Sequence, residues 1–284
     1  MVAPLRAVIV KRPEEAFGDG GRIEQEWRDL RWTRSPNPKI AAEEHRQLVA
    51  ALERAGARVY CLPKDDRTNL DSLYTHDPVL MTDEGAVILQ MGKPARRGEG
   101  PAVADAMRTW DMPILGVVDG DAMAEGGDMI WLDARTLLVG RGFRTNQRGI
   151  ERLSDLLKPL GVTVISVPLP YADGPQDVLH LMSFMSLLDT DLAVVNRRLL
   201  PVPLFELLSE RGVELVDVAE DEYMTLGCNV LAVAPRQLLM VAGNPVTRER
   251  LEAAGCDVTE FEGSEICLPG AGGPTCLTRP VHRG

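Results

Sequence analysis

The stretch PVLMTDEGAVIL, residues 78–89, consists of two short apolar runs joined by a few polar, turn-forming residues. Strands that reverse direction at a short polar turn have this pattern, so it predicts a β-hairpin. The same layout recurs at a spacing of about fifty residues, which is typical of a repeat architecture. The three further copies are MIWLDARTLLVG (129–140), SFMSLLDTDLAVV (183–195) and NVLAVAPRQLLMV (229–241).

A predicted helix and a further short strand follow each hairpin. The helix–strand pairs are GPAVADAMRTW with MPILGVV (100–118), TNQRGIERLSDLLKPLG with VTVISVPL (145–169), LPVPLFELLSERG with VELVDV (200–218) and NPVTRERLEAAG with CDVTEF (244–261). Three of these helices are followed by Gly161, Gly212 and Gly255. A residue just past a helix often takes the left-handed conformation that favours glycine, which supports these helix ends.

A fifth copy of the unit closes across the two ends of the chain. The strand TCLTRPV (275–281) is predicted to pair with RAVIVKRP (6–13), which the helix in residues 38–56 and the strand ARVYCL (57–62) follow. Five modules of two strands, helix and strand predict a single α/β domain over residues 1–284, a five-fold pseudosymmetric propeller around a common centre. The alternative is an ordinary α/β domain whose hairpins look alike by chance.

The composition is typical of a soluble globular protein. The 284 residues are 45% hydrophobic and 26% charged, and no apolar run approaches the ~20 residues of a membrane helix. The amino-terminal residues lack a signal-peptide pattern, so we expect a cytoplasmic location without membrane attachment. The formal charge of −11 argues against a nucleic-acid partner. It is compatible with a cationic substrate, although solubility alone also accounts for acidic proteins.

The cysteines are odd in number and scattered. They are Cys61, Cys228, Cys256, Cys267 and Cys276. The absence of a Cys-x-x-Cys pair disfavours a disulfide framework and a zinc finger or ribbon. Four of them are interpreted as small buried residues near strands. Cys276 follows a Gly-Gly-Pro turn, and four readings stay open for it: buried thiol, half of a disulfide, metal ligand or nucleophile.

Polar residues collect in the segments that lead into the hairpins, here called the approach segments: 68–78, 124–129, 176–184 and 272–278. In a ring of such modules these segments point toward the common centre. Taken singly, each residue has an ordinary explanation, such as turn formation by Asp or a hydrogen-bonded core histidine. Together, equivalent positions of one repeat carry acids, a base and a thiol. These residues are Asp71, His76, Asp77, Glu125, Asp128, His180 and Cys276.

These residue types make chemical sense as one site. Cys276 supplies a thiol, which needs a base or positive charge nearby to become a nucleophile, and His180 can provide either. Glu125 would orient the imidazole, as the third member of a catalytic triad does. Asp71 and Asp77 would be left as buried anions, and a planar cation with paired N–H donors suits them. The residues therefore predict a cysteine hydrolase that acts on a guanidinium group.

The sequence resembles the guanidino-group-modifying enzymes of the pentein fold. These include dimethylarginine dimethylaminohydrolases, arginine and agmatine deiminases, and amidinotransferases. The resemblance spans nearly the whole chain and is weakest in residues 14–38. Its motifs, in order, are DSLYTHD (71–77), GKPARRGE (92–99), EGGD (125–128), FRTNQRGIERL (143–153), His-Leu at 180–181 and GGPTCLT (272–278). The resemblance implies the pentein fold, an α/β propeller of five ββαβ modules around a central active site.

The resemblance also implies catalytic roles. Cys276 matches the nucleophile that attacks the guanidinium carbon and forms a covalent thiouronium intermediate. His180 matches the general acid and base that protonates the departing amine and then activates water. Glu125 matches a carboxylate that hydrogen-bonds near the histidine. Family members with these motifs need no metal or organic cofactor.

Substrate contacts follow from the same resemblance. Asp71 and Asp77 match the acidic positions of the motif Asp-x-x-Phe-x-x-Asp, which grip substrate nitrogens. Arg96 and Arg144 match arginines that hold a substrate carboxylate. The other residues assigned to the substrate site are Tyr74, which stands at the Phe position of the motif, His76 and Asp128.

Three departures from the family pattern bear on the substrate. Deiminases carry His-x-Asp, but Met182 stands in the third position, which favours the dimethylaminohydrolase branch. THDP resembles the deiminase Phe-Thr-Arg-Asp-Pro, and His76 replaces a residue expected beside the substrate. Residues 17–32 form a longer segment than in dimethylaminohydrolases. With three glycines, this segment is either a mobile lid or a static surface loop.

The leading hypothesis is hydrolysis of an ω-methylated arginine to citrulline and an amine, with arginine itself as the alternative substrate. An amidinotransferase is the next alternative, although the chain looks short for that branch. A non-catalytic pentein that binds a partner is the remote alternative, and it would have no reason to keep Cys276, His180 and Glu125. The resemblance is compatible with a homodimer, because family members often dimerise.

Overall fold

The structure is a computed structural model that describes residues 1–18, 20–175 and 178–284. The strands in these ranges are β1 (Leu5–Lys11), β2 (Arg58–Leu62), β3 (Val79–Thr82), β4 (Gly85–Ile88), β5 (Ile114–Val117), β6 (Met129–Asp133), β7 (Thr136–Arg141), β8 (Thr163–Pro168), β9 (Met185–Asp189), β10 (Leu192–Val195), β11 (Glu214–Asp217), β12 (Leu231–Ala234), β13 (Gln237–Val241), β14 (Asp257–Phe261) and β15 (Arg279–Arg283). The α-helices there are α1 (Pro13–Phe17), α2 (Gly20–Glu26), α3 (Pro38–Arg54), α4 (Glu99–Thr109), α5 (Gln147–Leu157), α6 (Leu181–Phe184), α7 (Val202–Glu210) and α8 (Pro245–Ala253).

The strands form five three-stranded sheets of one design. Their orders are β15-β1-β2, β3-β4-β5, β6-β7-β8, β9-β10-β11 and β12-β13-β14. In each sheet the first two strands pair antiparallel and the last two pair parallel. A parallel pair needs a crossover connection, and a helix provides it in every module: α3, α4, α5, α7 and α8. The predicted ring of ββαβ modules, including its closure across the chain ends, is confirmed.

The predicted helix ends also agree with the structure. Gly161, Gly212 and Gly255 have φ angles of 71°, 69° and 84°, in the left-handed region. An L-residue with a side chain is strained there, so glycine lets the chain turn directly from helix to strand. At these three positions the local sequence signal and the backbone conformation coincide.

The core lies between the sheets and their helices. Every residue of β4 and β10 is buried, which explains why these strands lack a polar–apolar alternation. Helix α5 buries Ile150, Leu153 and Leu157 along one face, as its spacing predicts. Each such side chain contributes about 1.5–3 kcal/mol to stability by leaving water. Within the described ranges, no helix is long and apolar enough to cross a membrane.

The segment 17–32 folds onto the approach segment 68–78. Asp19 lies outside the described residues. The rest of the segment contains α2 and ends at Trp32, which is buried and donates a hydrogen bond from its indole Nε1 to Asp71 Oδ1 over 2.8 Å. Glu26 accepts a hydrogen bond from the backbone N–H of Leu70. The segment therefore contacts a predicted substrate-binding residue directly.

Candidate active site

The approach segments meet at the centre of the ring. Asp71 lies in a 3-10 turn (Leu70–Leu73), and Glu125 directly precedes another (Gly126–Asp128). His180 is the residue before α6, and Cys276 lies three residues before β15. Gln176 and Asp177, at the start of the third approach segment, lie outside the described residues.

Three buried side chains from different modules form the middle of the site. His180 Nε2 and Glu125 Oε2 are 2.7 Å apart, and both side chains are almost completely shielded from solvent. Ligand-type atoms of His180, Glu125 and Asp77 all lie within 4.8 Å of one another. The carboxylate of Glu125 also accepts a hydrogen bond from the backbone N–H of Lys93. The imidazole is therefore held between two anions and cannot rotate freely.

The Gly-Gly pair of the EGGD motif is required by close approach. A Cβ atom at Gly127 would collide with His180 Nδ1, and one at Gly126 would collide with the backbone carbonyl of His76. The backbone N–H of Gly127 in turn donates to Asp77 Oδ1 over 2.9 Å. Because glycine has no Cβ, the chain can pass this close to the imidazole.

The charges of this group are set by competition between burial and ion pairing. Burial acts to lower the pKa of His180, but Asp77, Asp128 and Glu125 outweigh it and raise that pKa to about 9. Burial acts to raise the pKa of Asp77, which Arg96 and His180 nevertheless hold well below its usual range. The pKa of Glu125 is also lowered, against burial, by its bond to His180 and by Arg144. At neutral pH the site therefore contains an imidazolium between two carboxylates.

Cys276 is half-buried, and its thiol has its own set of contacts. Asn229 Nδ2 donates to Sγ over 3.3 Å, and Thr275 Oγ1 lies 3.9 Å from Sγ. Burial, together with Asp77, raises the pKa of the thiol above its ordinary value. We expected His180 or a bound cation to stabilise the thiolate, and the side-chain hydrogen bonds of Sγ within the described residues go to Asn229 and Thr275. Cys276 is thus a neutral thiol at neutral pH, and its activation needs a further source of positive charge.

Asp71 is tied to two groups that the sequence did not suggest. Lys93 Nζ lies 2.6 Å from Asp71 Oδ2, and Trp32 donates to the other oxygen. A carboxylate oxygen can accept two hydrogen bonds, so both oxygens of Asp71 can still accept one from a ligand. Tyr74 packs on Trp32 with ring centroids 5.9 Å apart and donates its hydroxyl to the carbonyl of Ile266. Tyr74 thus shapes the wall beside Asp71.

Arg96, which was predicted to hold a substrate carboxylate, has several protein partners. Its guanidinium, 5% exposed, forms a bidentate pair with Glu99 and a 2.6 Å ion pair with Asp77, and it donates to the backbone carbonyl of Tyr74. Most of its donors have protein acceptors, and the assignment of Arg96 to a substrate carboxylate stays a prediction. Arg96 keeps Asp77 ionised and in position.

Asp128 also has protein partners. One carboxylate oxygen accepts from the Thr145 hydroxyl over 2.6 Å, and the other accepts from the backbone N–H of Leu181 over 3.1 Å. Burial raises the pKa of Asp128 to about 6. Asp128 therefore anchors the residue that follows His180, and its assignment to the substrate site stays a prediction.

Arg144 and His76 keep positions compatible with the site. Arg144 Nη1 contacts Glu125 Oε2 at 3.3 Å, a long ion pair in a nearly buried position. His76 Nδ1 lies 2.8 Å from the carbonyl of Thr278, and its buried Nε2 has no hydrogen-bond partner among the described residues. Burial and Arg279 lower the pKa of His76 to about 3, so the ring is neutral and Nε2 is an acceptor.

Replacing Arg96 with methionine is expected to destabilise the protein by about 3–5 kcal/mol at pH 7, because it leaves two buried carboxylates without their cation. Urea unfolding followed by circular dichroism measures the change. Burial already raises the pKa of Glu99 to about 7, so protonation at lower pH is expected to relieve part of the loss. Arg108→Met, which removes an exposed arginine of α4, is the control and is expected to change stability little. An Arg96→Met protein with the wild-type urea midpoint would contradict this role.

The residues that sequence reasoning missed lack an obvious chemical signature. Asn229, Lys93 and Trp32 contact predicted site residues, yet an amide, a lysine in a loop and an apolar ring are common everywhere. A signal for Asn229 was available, because it begins the fourth hairpin repeat at the position where the other modules carry their functional residues.

Asp77, Glu125 and His180 also have the spacing of metal ligands, since one atom from each lies within 4.8 Å of the others. Two carboxylates and an imidazole suit zinc or iron. Here, however, the hydrogen bond between His180 and Glu125 and the ion pair between Asp77 and Arg96 already satisfy these groups. Catalysis without a metal or organic cofactor stays a prediction.

Solved structures share this architecture. Dimethylarginine dimethylaminohydrolase from Pseudomonas aeruginosa, a cysteine-to-serine mutant complexed with citrulline, matches with a TM-score of 0.77 at 22% identity, over 97% of this chain and 99% of that one. The amino-terminal domain of ArgZ, an arginine dihydrolase from Cyanobacteria, matches with a TM-score of 0.78 at 19% identity, over 98% and 97% of the two chains. The fold is thus that of the pentein class of guanidino-group-modifying enzymes, as the sequence motifs predicted.

Within this class, a family profile and a curated relative relate the chain to the dimethylarginine hydrolases. The family profile described as N,N dimethylarginine dimethylhydrolase, eukaryotic, matches residues 23–283, and the chain belongs to this family. The dimethylarginine dimethylaminohydrolase of Streptomyces coelicolor is 29% identical over 284 residues, covering 97% of this chain and 96% of its own. The expectation of a hydrolase that acts on linear amidines is confirmed.

Proposed function

We propose that the protein is a cofactor-independent hydrolase that converts an ω-methylated arginine to citrulline and a methylated amine. The buried, cationic His180 between Glu125 and Asp77, at the same ring centre as Cys276, is the observation that carries the proposal. The dimethylarginine hydrolases related to this chain support the substrate class.

The protonation states define how catalysis begins. With the pKa of His180 raised to about 9 and that of Cys276 also raised, the free enzyme holds an imidazolium and a thiol at neutral pH. An imidazolium cannot accept the thiol proton. The bound guanidinium supplies the missing positive charge, so the thiol loses its proton to solvent as the substrate binds.

In the first half-reaction, Cys276 Sγ attacks the guanidinium carbon and a C–S bond forms. The tetrahedral species collapses as the bond from carbon to the substituted nitrogen breaks. His180 gives its proton to that nitrogen, which leaves as a neutral amine. The product on the enzyme is a thiouronium, and His180 is now neutral.

In the second half-reaction, neutral His180 removes a proton from water, and the resulting hydroxide adds to the thiouronium carbon. The C–S bond breaks, Cys276 leaves as a thiolate, and the proton of the added hydroxyl passes to solvent as the ureido carbonyl of citrulline forms. The thiolate then takes up a proton from solvent, which restores the neutral thiol of the free enzyme. Glu125 holds the imidazole through both steps and stabilises its cationic form.

Substrate binding is assigned to the remaining acids and one arginine. Asp77 is fully ionised and interacts with both His180 and Cys276, so it accepts N–H donors from a guanidinium at the point of attack. Asp71 offers a second carboxylate, and Tyr74 the adjoining wall. Arg144, whose contact to Glu125 is long, is the candidate to bind an α-carboxylate.

Arginine itself is the alternative substrate, which would give citrulline and ammonia. The THDP sequence favours it, and a structural neighbour is an arginine dihydrolase. His76 Nε2 is a neutral buried acceptor, the type of group that an unmethylated guanidinium nitrogen would use. Amidinotransfer to an amine acceptor and non-catalytic binding remain less favoured alternatives.

A substrate panel tests the proposal. Arginine, monomethylarginine, asymmetric dimethylarginine, agmatine and small guanidines are assayed for ureido product and released amine. We expect methylarginines to give the highest kcat/KM, with arginine at least about tenfold lower, because a pocket that fits an N-methyl group would leave the corresponding N–H of arginine without a partner. Agmatine lacks the carboxylate and is expected to be poor. Turnover on none of these compounds would overturn the proposal.

Two further properties stay predictions. A homodimer would be detected by light scattering coupled to size-exclusion chromatography. A cytoplasmic location fits the free thiols at all five cysteines, since disulfides are rare in that compartment.

A further inference from the structure

Asn229 lies where the fourth hairpin begins, just before β12, and is almost completely buried. The other four modules carry acids, the histidine or the cysteine at the equivalent place. We propose that Asn229 is the positioning residue of the nucleophile: it aims Cys276 Sγ and donates a hydrogen bond that stabilises the thiolate. This inference rests on the proposed function, in which Cys276 is the nucleophile.

The orientation of the amide is determined by its neighbours. Asn229 Oδ1 accepts two hydrogen bonds from Thr275, one from the backbone N–H over 3.1 Å and one from the hydroxyl over 2.8 Å. Both donors identify that atom as the oxygen. The Nδ2 group must then face Cys276 Sγ, which lies 3.3 Å away. The amide therefore offers a donor to the sulfur and cannot present an acceptor to it.

The amide is also held rigidly. A Cβ atom at Gly273 would overlap Asn229 Oδ1, so the Gly-Gly-Pro turn passes directly against the amide. The backbone N–H of Asn229 donates to the carbonyl of Leu226 over 2.9 Å. A side chain fixed from both sides places its donor without losing further conformational freedom when the thiolate forms.

Burial and the carboxylate of Asp77 oppose the thiolate by raising the pKa of Cys276, whereas hydrogen bonds from Asn229, Thr275 and the Gly273 backbone lower it. The Thr275 hydroxyl donates to Asn229 Oδ1 and lies 3.9 Å from Sγ, so it is a weaker contact of the sulfur than Asn229. The phenol of Tyr74 and the thiol of Cys267 also lie near enough to interact with Cys276, and both are neutral. Asn229 is thus the closest hydrogen-bond donor that faces the sulfur from outside its own segment.

Asn229→Asp separates the two parts of this role. An aspartate retains the acceptor for Thr275, so the turn keeps its anchor, but it replaces the donor to Sγ with an anion. We expect the pH midpoint for alkylation of Cys276 by iodoacetamide to rise by at least about one unit. Below the midpoint the alkylation rate is expected to fall about threefold to tenfold, since a more basic thiolate is also more nucleophilic. Peptide mass spectrometry assigns the alkylated cysteine.

The control is Asn37→Asp, which makes the same change of charge at the exposed N-cap of α3. Aspartate caps helices as well as asparagine does, and the midpoint is expected to stay at the wild-type value. Near-ultraviolet circular dichroism establishes that each variant is folded. If Asn229→Asp does not fold, Asn229→Ala is measured instead, and its midpoint is expected to rise as well because the donor is lost.

Alkylation needs no substrate, so it separates this inference from the proposed function. A raised midpoint in a protein that turns over none of the panel would sustain the role of Asn229 and overturn the proposed function. Turnover of methylarginine with an unmoved midpoint in a folded variant would do the reverse. With the active substrate, a fall in kcat at nearly constant KM supports positioning of the nucleophile, because the inferred role of Asn229 acts through Cys276 Sγ and adds nothing to substrate binding.

Discussion

Replacing Cys276 with serine is expected to lower kcat on the best substrate at least about a thousandfold. A serine hydroxyl is far less acidic than a thiol, and His180 is not available as a base to compensate. The pKa of His180 is raised to about 9, so at neutral pH the imidazole already carries the proton that it would have to accept. Steady-state release of amine and ureido product measures the loss.

Binding is expected to survive the same substitution. Asp77 and Asp71 remain in place, so isothermal titration calorimetry with the substrate is expected to give a dissociation constant near the wild-type KM. Cys61→Ser is the matched control, because Cys61 is also a half-buried free thiol but lies in β2, outside the site. It is expected to retain activity. Full turnover by Cys276→Ser would refute the covalent mechanism.

The fold was predictable because its signals are local and repeated. Each hairpin needs two apolar runs and a turn, each helix end needs a glycine or a cap, and five copies reinforce one another. Asn37 and Asn146 show the same consistency, since both accept hydrogen bonds from the first turn of the helices that they precede. The symmetry of the ring then brought residues from distant segments to one centre, which no single motif could establish.

Partners inside the site were not predictable in the same way. The residue type in a motif predicts the charge of a carboxylate or a guanidinium. It does not predict whether that group pairs with a substrate or with another side chain. Arg96 and Asp128 are predicted to bind the substrate, and the structure shows that each of them also has protein partners. These contacts depend on side-chain directions across modules, which the sequence spacing does not determine.

Protonation states were also beyond the sequence. Histidine beside cysteine suggests a base beside its nucleophile, yet the sum of Asp77, Asp128 and Glu125 makes His180 a cation, and burial keeps the thiol neutral. The order of proton transfers follows from this balance of three anions against desolvation. The order of proton transfers could therefore be inferred only from the three-dimensional arrangement of these side chains.

Replacing Glu125 with glutamine is expected to lower kcat by roughly 10²–10⁴-fold, the loss seen when the orienting member of a catalytic triad is neutralised. Glutamine preserves the shape of the side chain but not its charge. One of the three anions that raise the pKa of His180 against burial is then lost. The pKa of His180 is expected to fall, and the imidazolium that protonates the leaving amine becomes less stable.

The pH dependence of kcat shows in which direction the pKa of His180 moves. In the wild-type enzyme the acid form of His180 is present below about pH 9 and is lost as the pH rises through that value, so kcat is expected to decline on the alkaline side. In Glu125→Gln the same decline is expected at lower pH. The measurement is kcat against pH at saturating substrate, with Glu222→Gln as a control at a carboxylate that caps α8. The control is expected to leave the alkaline limb in place, whatever it does to stability. An unshifted alkaline limb in Glu125→Gln would mean that His180 does not owe its proton to Glu125, and that the leaving amine obtains its proton from another group.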